Sequence, residues 1–323
     1  MKGNYELQHR VALLNPYGSV VRTFDADPQA ILVGIKNIRS IPNTLMGRLE
    51  PHGFALHTID KKSQLAGRAV DTQLLNPITG RWMSGSSSGT AINVFAGIND
   101  LGIGNDGGGS VLAPAMCVNI LGFISRRIEP DRETGELRPN TDGMVAGNSI
   151  GFMARDKEIL YRAIECATGL APAGEYGKVI SDREYPGLSS EVRELMDRHA
   201  PRGELTAYLV ELLKECDVLV VTEGPVDLYG FGDSLFGHFD ARTQAIQRQA
   251  EKGYVRVANI AGATALALPQ EGLGMSTLLL CADDEAKIRK LLRLGLVLQE
   301  AHDPLIQRYF LDLNNYFIEG YEV

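Results

Sequence analysis

Serines, glycines and one strand-end lysine are the residues in this 323-residue chain whose types and spacing could do chemistry. Eight of its 35 glycines (Gly85, Gly89, Gly97, Gly102, Gly104, Gly107, Gly108, Gly109) fall within residues 85 to 109. Glycine as a whole exceeds the ~7% of an average chain. Such a cluster inside an ordinary composition implies a site built from backbone, because glycine lets the chain turn where a side chain would obstruct it. Three chemistries fit it. Gly102-Ile103-Gly104-Asn105-Asp106-Gly107 satisfies the GxGxxG of dinucleotide loops, but a helix-like run precedes it where a strand is needed, and Pro114 stands where the next helix should propagate. Gly85-Ser86-Ser87-Ser88-Gly89 satisfies the GxSxG nucleophile elbow of α/β-hydrolases around Ser87, with His199, His238 or His302 as base and Asp217 or Asp233 as acid. The turn-like Asn76-Pro77-Ile78-Thr79-Gly80 ahead of it occupies the place of the strand that an elbow requires.

The third reading takes both halves of the cluster together. Met83-Ser84-Gly85-Ser86-Ser87-Ser88-Gly89-Thr90-Ala91, followed by Gly104-Asn105-Asp106-Gly107-Gly108-Gly109-Ser110-Val111-Leu112-Ala113-Pro114-Ala115, resembles the amidase signature family, whose pattern is GGSSGGSAA and then GTDTGGSIRxPA. Further blocks follow in the same order. Ile31 to Asn37 looks like the family's strand ending in the catalytic lysine, Asn76-Pro77 like the Asn-Pro before the serine loop, and Gly151-Phe152-Met153-Ala154-Arg155 like G-P-M-A-R. Asn259-Ile260-Ala261-Gly262 through Leu280 is similar to the family's C-terminal region, so the resemblance runs from about residue 25 to 302. It implies an amidase hydrolysing a C–N bond through an acyl-serine on Ser110. Ser86 would be the bridging serine with a cis peptide bond before it, and Lys36 the base. It also implies an oxyanion hole of the Gly107, Gly108 and Gly109 N–H groups, with Ser87, Asp106 and Arg155 in support.

Those roles fit independent physics. Amide hydrolysis needs an activated nucleophile, a stabilised oxyanion and a proton for the departing nitrogen. Three glycines before Ser110 let successive N–H groups converge on one oxygen. Lys36 ends an apolar strand, where burial disfavours the charged amine and leaves it a base. Other members of the cluster have plainer expectations: Ser84, Ser87 and Ser88 as loop hydroxyls bonded to backbone, Asp106 as a brace for the glycine loop, Arg155 as a partner for carbonyls or a carboxylate. His52 and His57 have no accompanying ligand cluster, so no metal and no cofactor are expected.

The elements that must position these residues alternate along the chain. Residues 30–35, 217–222 and 276–281 read as buried strands, and 90–98, 157–168, 190–199, 206–216, 241–252 and 284–302 as helices, the last capped by Asp283 or Asp284. Interleaving of this kind predicts an α/β fold with helices on the faces of a sheet, and the resemblance implies a single domain over 1–323 whose mixed central sheet is covered by helices on both faces. The polar stretch 125–148 (Arg126, Arg127, Glu129, Asp131, Arg132, Glu133) reads as a surface excursion. The tail 303–323, with Tyr309, Phe310, Tyr316, Phe317 and Tyr321, should pack on its own domain or on a second copy, and a homodimer is expected. A net charge of −8 with no basic block argues against a nucleic-acid partner. No apolar run approaches the ~20 residues of a membrane span, no secretion signal is legible, and four scattered cysteines point to reduced thiols in a cytoplasmic protein whose partner is a small-molecule amide.

The departures from the family pattern carry expectations too. Only 35 residues precede Lys36, so the usual N-terminal helices should be largely missing, and the 50 residues from Lys36 to Ser86 place a deletion within about 46–70. Asn37 and Asn148 stand where the family has Asp, and Leu112 where it has Arg. A trimmed scaffold predicts an open cleft, or one closed by a second subunit through the aromatic tail. Loops 46–82, 170–205 and 225–240 should set specificity, with Phe231, Phe236 and Phe239 as an apolar wall. Competing functions are an acyl- or amino-transfer role resembling the A subunit of tRNA-dependent amidotransferases, a degenerate amidase fold that only binds, and an esterase using Ser87.

Overall fold

The computed structural model describes residues 4–63, 68–130 and 139–317. Asp131, Arg132, Glu133 and Tyr321 lie outside them. Eleven strands form one mixed sheet among the described residues: β1 (Val20–Thr23), β2 (Ile31–Lys36), β3 (Phe54–Asp60), β4 (Leu101–Asp106), β5 (Leu121–Ser125), β6 (Ser149–Ala154), β7 (Val179–Ser181), β8 (Glu191–Val192), β9 (Val218–Glu223), β10 (Thr264–Pro269) and β11 (Ser276–Cys281). Their order is β1-β3-β2-β4-β6-β5-β10-β11-β9-β7-β8. The strands β3, β2 and β4 are parallel neighbours, so their carboxyl ends, Asp60, Lys36 and Asp106, emerge at one edge. Beside them β6 runs antiparallel to β4, pairing Asp106 with Ser149 and Leu101 with Ala154.

The described helices are α1 (Tyr5–Leu14), α2 (Asn43–Leu49), α3 (Ser88–Phe95), α4 (Leu112–Cys117), α5 (Lys157–Thr168), α6 (Arg202–Glu215), α7 (Ala241–Arg248), α8 (Glu285–Val297) and α9 (Pro304–Phe310). The sheet separates two large apolar cores. One includes Ile92 and Phe95 of α3, Met116 of α4 and Leu209 of α6; the other includes Leu45 of α2, Leu160 of α5 and Leu291 of α8. Strands β4, β10 and β11 are buried at every position, and β11 accordingly reads as a continuous apolar run rather than an alternating one.

Most expected elements are present, with Asp284 accepting the Lys287 N–H at 3.0 Å as the cap of α8. That helix ends at Val297, short of 302, where Leu298 turns extended. The expected helix over 190–199 is not there. Glu191–Val192 instead adds β8 to the edge of β7, and the rest of the stretch is irregular. The apolar spacing of Val192, Leu195 and Met196 suits a helix, but an unpaired sheet edge nearby competes with local periodicity and wins. The stretch 102–107 is likewise no dinucleotide loop, because Gly102 and Gly104 lie inside β4. A Cβ on Gly102 would come within 2.7 Å of Thr90 Cγ2, and one on Gly104 within 2.7 Å of Ser87 Oγ, so these glycines let α3 lie close on the strand.

The tail packs on its own domain as far as residue 317. Phe310 meets Phe95 with ring centroids 5.3 Å apart, the Tyr17 and Tyr316 hydroxyls are 2.7 Å apart, and Arg10 stacks on Phe317. Among the described residues no helix is long and apolar enough to cross a membrane. None of the four cysteines is in a disulfide.

Candidate active site

The site grows from the carboxyl ends of the parallel strands. Lys36, the last residue of β2, is only 2% exposed. Its Nζ donates to Ser86 Oγ and to Asn105 Oδ1, each at 2.7 Å, and lies 3.5 Å from the Asn105 carbonyl. Parallel pairing places Ile35 level with Ile103, so the next residues up the two strands bring the lysine beside Asn105. Beneath them is Asp60, fully buried at the end of β3, whose Oδ1 accepts from Thr58 Oγ1 and Asn93 Nδ2, both at 2.6 Å. Burial pushes its carboxyl up to about 7, against the pull of those donors.

Two loops meet above the lysine. In the serine loop Gly85 adopts φ +109°, and a Cβ there would lie 2.4 Å from Pro114 Cδ, so glycine alone permits the turn that presents Ser86. The peptide bond before Ser86 is trans: among the described residues the cis bond is Gly224-Pro225, which corrects the expected cis bond. The reversal of direction comes from the left-handed Gly85 instead. In the glycine loop Gly109 adopts φ +96°, with the Val255 carbonyl oxygen 3.1 Å from where its Cβ would stand. The two loops are joined by the Ser87 N–H, which donates to the Ser110 carbonyl at 3.2 Å.

Asp106 braces the glycine loop from below. Its carboxylate accepts from the Gly109 N–H at 2.6 Å and from the Val111 and Leu112 N–H groups at 2.7 and 3.3 Å. Burial raises its pKa while these donors and Lys36 oppose the rise. The same bond corrects the expected trio of oxyanion donors: the Gly109 N–H is engaged with Asp106, leaving those of Gly107 and Gly108. Asn259 pins the loop from another side, donating to the Gly107 and Gly147 carbonyls at 3.2 and 2.8 Å.

Ser110 opens on a cavity of about 390 Å³, lined also by Gly85, Gly108 and Gly109. Its hydroxyl has no hydrogen bond among the described residues. The far side of the cleft comes from His199 to Arg202 and from 232–256, within or close to the stretches expected to set specificity. The wall is not the expected aromatic one. Phe231 and Phe236 pack edge to face against each other, Trp82 packs on Phe231, and it is Gly232, Ser234, His238 and Lys252 that face the cavity.

Four other residues differ from expectation. Arg155 is not near Ser110: β6 is antiparallel to β4, so its end lies level with Leu101 at the opposite edge of the sheet, where Arg155 lines a separate cavity with Asp100. Ser84 bonds the Asp227 carboxylate and Lys252 rather than backbone, its own N–H reaching Asp227 at 2.7 Å. The hydroxyls of Ser87 and Ser88 are buried without a partner. With Ser87 sealed in this way under α3, the elbow reading has no accessible nucleophile. Within this chain the tail lies away from the cleft, with Leu311 to Asn314 lining that second cavity. His302 lies there as well. Among the described residues no cluster of histidine, cysteine and acidic side chains could hold a metal. Asn105 was missed by sequence reasoning; its signal was its place one step up β4 from the residue level with Lys36.

Comparison with known proteins finds amidases and amidotransferase A subunits. The family model described as Amidase matches residues 71–169. The A subunit of the glutamyl-tRNA(Gln) amidotransferase of Methanothermobacter thermautotrophicus is 29% identical over 129 residues, 38% of this chain and 27% of the relative. The putative amidase AmiC of Mycobacterium leprae is 32% identical over 158 residues, 44% of this chain and 34% of the relative. The chain thus spans about a third of the length of the curated relatives it matches. In fold it is similar to 6-aminohexanoate cyclic dimer hydrolase (TM-score 0.63, 13% identity, covering 94% of this chain and 95% of that one). It is also similar to the A subunit of the glutamyl-tRNA(Gln) amidotransferase of Thermotoga maritima (TM-score 0.58, 14% identity, covering 90% of each).

Proposed function

We propose that the chain, which matches the amidase family model over residues 71–169 and is similar in fold to solved amidases, hydrolyses the C–N bond of a small amide through an acyl intermediate on Ser110. The observation that carries this reading is the buried Lys36 amine 2.7 Å from Ser86 Oγ, beside a serine that opens on a cleft. Ser110 Oγ attacks the carbonyl carbon, and its proton passes through Ser86 to Lys36. The Gly107 and Gly108 N–H groups face the developing oxyanion, where losing one donor typically costs ~3 kcal/mol in the transition state. Collapse of the tetrahedral intermediate breaks the C–N bond, and the proton returns through Ser86 to the leaving nitrogen. Water then attacks the acyl-serine by the same route and releases the acid. Asp106, with its three N–H partners, holds the loop in place and touches no reacting atom.

A fluorophosphonate probe tests the assignment. Labelling should map to Ser110 by mass spectrometry and fall by about a thousandfold in rate in Lys36→Ala, the scale of losing a general base. Labelling of Ser87 instead would return the case to an esterase elbow, and absence of labelling would favour a binding protein. The match to the A subunit of an amidotransferase supports amino transfer as a second reading. Hydrolysis of a simple amide by the purified chain alone would count against it.

A further inference from the structure

In a chain of net charge −8, the Ser110 cleft is lined by Arg202, Arg248, Lys252 and Arg256 against Asp142 and Asp240. The four cations differ in how far the fold already satisfies them. The Lys252 ammonium is occupied by the Ser84 hydroxyl and the Gly232 carbonyl, with Asp227 at 4.0 Å. Arg202 pairs through Nη1 with Asp142 at 2.6 Å, yet its Nε is buried with no acceptor. Arg256 donates through Nη2 to the Arg198 and Ala200 carbonyls at 2.7 and 3.1 Å, and its Nε reaches the Gly253 carbonyl only at 3.4 Å. Its Nη1 has no acceptor among the described residues. Arg248 is exposed and unpaired among them.

The two inner arginines act on each other. Burial weakens the hold of both on their charge, and Arg202 adds repulsion at Arg256. Asp142 offsets this at both, helped at Arg256 by Glu223 and Asp197. Arg256 is also next to the catalytic loop, its carbonyl oxygen 3.4 Å from where a Cβ on Gly108 would stand. Guanidinium donors left without acceptors in a part-buried cleft are unfavourable until an anion supplies them, and their fork matches a carboxylate.

We propose that the Ser110 cleft takes small amides bearing a carboxylate, which Arg202 and Arg256 bind while Arg248 at the surface draws anions in. This rests on the hydrolase reading of the same site. The cavity of about 390 Å³ suits a small ligand of this kind.

Calorimetry on the Ser110→Ala protein tests it with two acids, succinamate and N-acetylglycine, each against its own neutral methyl ester. At least one acid should bind about tenfold or more tighter than its ester, the scale of a charge-assisted contact. Arg256→Gln and Arg202→Gln should each cut that preference to about threefold or less. Because Arg256 also holds two loop carbonyls, Arg256→Lys, which keeps the charge, and Arg248→Gln at the exposed position serve as variants that keep the loop. The first should retain part of the preference, and the second should lower it about twofold to fivefold, more strongly at low salt. Esters binding as well as acids, neither acid binding at about 10 mM, or folded arginine variants that keep the full preference would each overturn the proposal. So would inorganic phosphate binding more tightly than both acids. Fluorophosphonate labelling of the unsubstituted chain is read separately: its absence at Ser110 removes the hydrolase reading whichever way the calorimetry falls.

Discussion

Opposite ends of β4 each face a cavity, and the larger of these two is not the one beside Ser110. At the carboxyl ends of β2, β3 and β4 a cavity of about 390 Å³ meets Ser110, two glycine-built turns and a buried lysine. At the opposite edge a cavity of about 490 Å³ is lined by Arg155, Asp100, His302 and the tail, with no serine nucleophile and no convergent backbone donors. Volume therefore says little about function here. Parallel strands end together, and the loops leaving them can be brought to one point. The other edge collects a terminal segment and the part-buried Arg155.

Three measurements break or sharpen that contrast. The largest effect belongs to Ser110→Ala, which should lower amide hydrolysis by about ten-thousandfold or more, the scale seen when a nucleophile is removed. Retained turnover would mean that the chemistry lies elsewhere. Next is Asp60, level with Lys36 on the neighbouring strand, with a folded pKa of about 7 against an unfolded value of 3.8. Here the folded state binds the extra proton, so the stability this group contributes is fully present below its unfolded value and is lost as pH rises to 7, by about 4 kcal/mol at ~1.4 kcal/mol per unit. Asp60→Asn should flatten that dependence, seen as a Tm above that of the unsubstituted chain at pH 8. A stability curve that keeps its fall from pH 4 to 7 in the variant would show that another group carries it. The smallest effect belongs to the far edge. Leu313→Ala, at a position 8% exposed against Val11 and Ile98, should cost about 2 kcal/mol in chemical denaturation. The labelling rate of Ser110 should stay within about twofold, because cores so far apart behave independently. A large change in labelling would join the two edges.

What was legible in the sequence was mostly local. The helix 157–168 was read to the residue because its apolar stripe, the Gly169 that ends it and its helix-forming residues agree. The serine and glycine loops were legible because their turns are set over a few residues, by positive φ at Gly85 and Gly109. Asp106 was read as a brace because it stands three residues from the N–H it accepts. Errors arose where the deciding partner is remote. Arg155 follows a motif that looks catalytic, but strand direction sends it to the other edge. Residues 190–199 have helical spacing, yet the nearby edge of β7 recruits two of them. Phe231 and Phe236 looked like a pocket wall but pack against each other, with the half-exposed Trp82 on Phe231.

The amino-acid order by itself determined that three glycines stand directly before Ser110, so that the turn leading into it is built from backbone. Tertiary structure alone decided that Lys36 meets Ser86 across 50 residues, that Asn105 holds the lysine's other side, and that Arg202 and Arg256 face one cleft. The physical reason is that local turns are set by backbone sterics within a few residues, whereas charges and hydroxyls brought together from distant segments depend on sheet register and direction. Those are properties of the packed sheet as a whole.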